Sequence, residues 1–150
     1  MLTIKVNDLK QLHDLDDAQW LEETVSLLKK HQFQQLDLDH LIEELEDLGR
    51  EKKNTVASLL EKIIRHLLLL QYWTRESEYN TVHCQEEIYT SRTQLGRKIT
   101  INLSNYLEKE LNSIYQDVLG FVKIKTMSAV TFPAQCPYSL EQLLDRDWLP

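Results

Sequence analysis

Over residues 56–70 the apolar positions Val56, Leu59, Leu60, Ile63, Ile64, Leu67, Leu68 and Leu70 recur at steps of three and four, so a helix built from them is apolar around most of its circumference. Such a helix has no stable place on a surface and must be central. Burying each Leu or Ile is worth about 1.5–3 kcal/mol before conformational entropy is subtracted, so this segment supplies much of a core. The most apolar run, 63–70, is broken by Arg65 and His66 and is too short to cross about 30 Å of hydrocarbon. It reads as a core helix and not as a membrane anchor. All three prolines, Pro133, Pro137 and Pro150, lie near the C-terminus, so long helices are permitted before them. Gly49, Gly96 and Gly120 are isolated, which excludes a glycine-rich loop that cradles phosphates.

The rest of the chain has the same helical grammar. Residues 1–13 alternate too loosely for a firm element and are expected to form an extended or frayed N-terminal arm, with residues 14–150 as a single helical domain. Leu15, Ala18, Leu21, Val25 and Leu28 share one face of a helix expected at 16–31, with Asp14, Asp16 and Asp17 near its positive end and Lys29 and Lys30 near its negative end. Phe33 and Leu36 are expected to pack the connection that follows. Asp37 is placed to cap a second helix, whose stripe is Leu38, Leu41, Ile42, Leu45 and Leu48, with Gly49 ending or bending it. The central helix is third. The polar run 74–80 reads as a turn, a fourth helix is expected at 81–99 on Ile88, Leu95 and Ile99, and a fifth carries Leu103, Leu107, Leu111, Ile114, Tyr115 and Val118, with Gly120 near its end. Thr100, Ile101 and Asn102 are only a mild break between these two, which leaves their continuity open. Ser139 and Gln142 form a capping box that starts a short last helix within a proline-bearing tail. The fold class is therefore all-α: a helical bundle of about five main helices, with a short C-terminal helix and extended tail.

Charge restricts the function classes. Residues 1–50 hold five Lys/Arg against twelve Asp/Glu and residues 51–150 hold twelve against twelve, so the whole net charge of −7 lies in the first third. A protein that grips phosphates carries a basic stripe, because neutralising phosphates supplies most non-specific affinity. Nucleic acid is accordingly disfavoured, and an acidic surface suits basic protein partners. Cys84 and Cys136 are far apart, in no metal-like spacing and with no signal peptide ahead of them, which fits a reduced cytoplasmic setting.

One ordered series carries a resemblance. It begins with Trp20 and runs through Phe33-Gln34-Gln35-Leu36-Asp37-Leu38-Asp39-His40-Leu41-Ile42-Glu43-Glu44-Leu45-Glu46-Asp47-Leu48-Gly49-Arg50, His66-Leu67-Leu68 and Gln71-Tyr72. It closes with Phe132-Pro133, Cys136-Pro137-Tyr138, Glu141-Gln142-Leu143-Leu144-Asp145 and Trp148-Leu149-Pro150. With these the chain resembles the largely bacterial family called domain of unknown function 29. It departs from the common pattern at Cys84, where that family usually carries a Trp four residues before an Ile. The resemblance implies an all-helical fold and no activity.

Several residues are candidates for chemistry. His40, Glu43 and Glu44 lie in an acidic stretch where helix-borne carboxylates can hold a metal ion, and His66 is a polar ring inside the most apolar helix, where it must find a partner. A di-iron bundle needs two inward Glu-x-x-His pairs, and only Asp37-x-x-His40 and a reversed His83-x-x-Glu86 exist here. The bland alternatives are a solvated acidic face and a core histidine bonded to a carboxylate of the second helix. Cys136, between two prolines, reads as an exposed thiol, and Cys84 as a small buried hydrophobe. Tyr72 and Trp73 either plug the end of the third helix or anchor a partner. No cofactor is implied. The leading reading is a non-catalytic helical domain that works by protein association, with a protein partner or a second copy. The alternative is a metal-dependent helical-bundle enzyme using His40, Glu43, Glu44 and His66.

Overall fold

The computed structural model describes residues 6–73 and 78–150. They form α1 (Val6–Leu15), α2 (Asp17–Lys29), a single 3-10 turn (Phe33–Gln35), α3 (Leu38–Tyr72), α4 (Glu78–Lys98), α5 (Ile101–Lys125) and α6 (Leu140–Leu144), with no strand among the described residues. The all-helical expectation holds. The chain divides into two compact units, Met1–Glu51 and Lys52–Pro150.

Some boundaries differ from expectation. The segment read as an arm is helical from Val6, its remainder lying outside the described residues. Leu9 on α1 is buried, and that tertiary contact steadies a helix too short to persist alone. The second and third expected helices are one helix, α3, because Gly49 and the polar residues after it keep the α conformation. α5 likewise continues through Gly120 to Lys125. The helix ends that need a left-handed residue use others: His31 (φ 57°) after α2, and Met127 (φ 52°) and Ser128 (φ 56°) after α5. Gln32 N–H donates to Leu27 O at 2.9 Å and His31 N–H to Leu28 O at 3.1 Å, which is a Schellman closure. Part of the expected turn at 74–80 lies outside the described residues, and from Glu78 the chain is helical.

In the first unit the stripe on α2 and the stripe on α3 are both exposed. Leu21, Val25, Leu28, Leu38, Ile42, Leu45 and Leu48 face solvent, and so does Phe33, which was expected to pack the connection. Among the described residues of this unit, the buried apolar side chains are Leu9, Trp20 and Leu36.

The second unit has an ordinary core. Val56, Leu60, Ile63, Ile64, Leu67 and Leu68 of α3 pack with Ile88 and Leu95 of α4, Leu107, Tyr115, Val118 and Val122 of α5, and Leu143 of α6. Thr100 separates α4 from α5 by accepting the Leu103 N–H at 3.2 Å as an N-cap. Ser139 and Gln142 make the expected capping box, with bonds of 3.1 and 3.0 Å. The tail is fastened by side chains to backbone. Buried Arg92 donates to the carbonyls of Leu143 (2.9 Å), Gln142 (3.0 Å) and Trp148 (2.7 Å). Tyr115 donates to Pro133 O at 2.5 Å, and Tyr138 to Gln71 Oε1 at 2.7 Å.

Candidate functional site

The polar centre of the first unit is built where α1 ends and α3 begins. Asp37 precedes α3 and is fully buried, a costly position for a carboxylate unless its oxygens are satisfied. Three donors reach it: Trp20 Nε1 at 3.2 Å, His40 Nδ1 at 2.5 Å and the His40 backbone N–H at 3.4 Å. It is the cap expected from sequence and also the anchor for Trp20. One turn beyond His40 along α3, Glu44 Oε1 accepts from His13 Nε2 at 2.8 Å. That bond holds the His13 imidazole above the ordinary histidine pKa.

The two histidines meet face to face. The His13 and His40 rings stack with centroids 3.9 Å apart and planes 11° from parallel, and the edge of Trp20 stands against His13 at 4.9 Å. His13 Nδ1 is buried and has no hydrogen-bond partner, the nearest acid being Asp14 Oδ1 at 3.7 Å. Lys10 and Asp39 pair beside the cluster at 2.9 Å, which holds the Asp39 carboxyl below its usual range. Of the sequence candidates, His40 and Glu44 enter this cluster and Glu43 stays exposed on α3. His13, Asp14 and Trp20 were missed as site residues. The only local signal for His13 was a histidine in a segment too short to read as a helix.

His66 belongs to the second unit. Its Nδ1 donates to Lys62 O at 2.7 Å, one turn back along α3. The carboxylate partner expected from helix two is replaced by a backbone carbonyl of its own helix. Burial pushes its pKa below the usual histidine value, and the His83 ring stands edge-on at 6.0 Å. Both line a cleft of about 380 Å³ together with Arg65, Trp73, Cys84, Phe121 and Lys125. The Arg65 guanidinium lies 3.8 Å over the Phe121 ring. Aromatic walls and a cationic rim suit an anionic group carried on an apolar body.

Tyr72 and Trp73 are partly buried against the core, with Tyr72 edge-on to Phe132 at 6.0 Å, as a plug at the helix end requires. Cys84 is buried, as expected. Cys136 is half-buried and not an open thiol: its Sγ donates to Tyr138 O at 3.4 Å, and burial raises its pKa, which disfavours the reactive thiolate. No helix among the described residues is long and apolar enough to cross a membrane.

No curated protein and no solved structure matches the chain. The family model described as Domain of unknown function DUF29 matches residues 12–149, from the last turn of α1 to the penultimate residue. The all-helical fold, the Trp20–Asp37 anchor and the fastened tail are therefore features of a chain that belongs to the DUF29 family, a family of unknown function.

Proposed function

We propose that this protein works by association, presenting the apolar stripes of α2 and α3 in its first unit to an amphipathic helix of net positive charge on another protein. The observation that carries this reading is the exposure of Leu38 (55%), Ile42 (52%) and Leu45 (59%), consecutive on one face of α3, with Leu21, Val25 and Leu28 exposed on α2. Soluble proteins rarely show large contiguous apolar patches without a use for them. The unit also buries few apolar side chains of its own, so a partner would add the burial that it lacks.

Area and charge select the partner. A standard interface takes about 800 Å² from each side, and Phe33, Leu48 and the six residues above are the exposed apolar side chains that would contribute to it. Met1–Glu51 holds five Lys/Arg against thirteen Asp/Glu. Glu22, Glu43, Glu46 and Asp47 are exposed around the stripes. Two such surfaces repel one another, whereas Lys and Arg flanking an apolar helix face are attracted and steered.

Photo-crosslinking residues placed at 42 and 45, in native cells, test the proposal. The expected adduct is a Lys/Arg-rich helical segment of a different protein, lost when Leu38 is replaced by Glu. Adducts confined to the same chain, or joining two copies, would overturn it.

A further inference from the structure

We propose that His13, His40 and Asp14 form a binding site for a divalent first-row transition-metal ion, with Glu44 and Asp37 orienting the two imidazoles. One nitrogen from each ring and one Asp14 carboxylate oxygen lie within 4.8 Å of one another, all in the first unit. Three ligands of this type, two imidazoles and a carboxylate, suit ions of the Zn²⁺ and Fe²⁺ class and leave further coordination positions to water or a substrate.

The hydrogen bonds explain why these groups are suited to metal and not merely adjacent. A histidine that binds a metal through one nitrogen usually donates its other N–H to a carboxylate or carbonyl, which fixes the tautomer and raises ligand basicity. Both rings have that arrangement here. His13 gives Nε2–H to Glu44 at 2.8 Å, and His40 gives Nδ1–H to Asp37 at 2.5 Å. In neutral rings the lone pairs are then on His13 Nδ1 and His40 Nε2. His13 Nδ1 is buried and without a hydrogen bond, and a buried polar atom in that state requires an explanation. A metal ion supplies one, because it takes a lone pair that no protein donor reaches.

Steric and electrostatic conditions are compatible. Bond lengths of about 2.0–2.1 Å in a tetrahedral shell put ligand atoms about 3.3 Å apart. The cluster must therefore contract, by a χ rotation of the exposed Asp14 side chain and a splaying of the stacked rings. Asp14, Asp37 and Glu44 put three carboxylates around two imidazoles, and Lys10, the nearby cation, is already paired with Asp39. A dication offsets that excess.

Titration of the full chain with Co²⁺, followed by visible d–d absorption and competed with Zn²⁺, tests the site. The expected result is one equivalent bound, with the band abolished in His40→Ala and strongly reduced in Asp14→Asn, whose exposed side chain makes misfolding an improbable cause. Glu44→Gln is expected to bind about 10–100-fold more weakly, with the far-UV circular dichroism of the metal-free protein unchanged. Absence of the band, or equal affinity in wild type, His40→Ala and Asp14→Asn, would overturn the proposal. Equal affinity would assign the ion to other ligands.

Discussion

Arg92 is the side chain on which the C-terminal tail depends most directly. Its guanidinium is buried and shares its donors among three backbone carbonyls, two of them at the end of α6. Burial lowers its pKa, yet arginine remains charged at any working pH. Arg92→Met removes the donors and strands buried acceptors, at about 1–3 kcal/mol for each one that water does not reach. A urea titration is expected to show a lower midpoint, with hydrogen exchange rising first in α6. His66 makes a pH prediction. Its folded pKa lies below the ordinary 6.5, because burial disfavours the charged ring. The unfolded chain therefore binds the proton first as pH falls. The stability His66 contributes is complete above about pH 6.5 and is lost as the pH drops through the folded value. NMR should find the titration midpoint of the ring below 6.5, and a midpoint at or above that value would contradict the burial argument.

At the scale of helices, local chemistry set the caps that start α3, α5 and α6 and the closure that ends α2. The capping box at Ser139 and the cap at Asp37 were readable because a side chain and its backbone target are three residues apart. The glycines carried a weaker signal. Gly49 read as an end or a bend and lies inside α3, and Gly120 read as near a helix end and lies in the last turns of α5; a Cβ at either would meet nothing within 4 Å. Gly49→Ala and Gly120→Ala should each stabilise by about 0.4–1 kcal/mol, by restricting the unfolded chain without a clash in the folded one. The converse holds at His31, whose φ of 57° is left-handed. His31→Gly removes a steric cost of about 1 kcal/mol at the closing residue of α2. Thermal melts of the three variants are expected to move upward, and a fall for Gly49→Ala would mean that α3 is not continuous there.

For the whole molecule the informative contrast is between two leucine-rich stripes of one helix. Leu67 is fully buried in the second unit, whereas Ile42 and Leu45 are more than half exposed in the first. Leu67→Asp is expected to prevent cooperative folding, since a carboxylate would be left in an apolar core. Ile42→Glu with Leu45→Glu should leave the melting temperature of the isolated protein within a few degrees while reducing capture of a basic helical partner. Melting and capture measured together separate a surface for partners from a core. The sequence could not make this distinction, because both stripes have the same spacing. It also could not show that His13 on α1 meets His40 on α3, since their contact depends on how helices far apart in sequence are arranged. What the sequence determined alone was the helical character of the chain, the direction of each apolar stripe and the caps that start α3 and α6. These are set by i, i+3 and i+4 geometry within a few residues. Only the tertiary structure decided which stripe is covered, which histidines pair and which carbonyls Arg92 serves, because burial and partner choice belong to contacts between segments and not to any one of them.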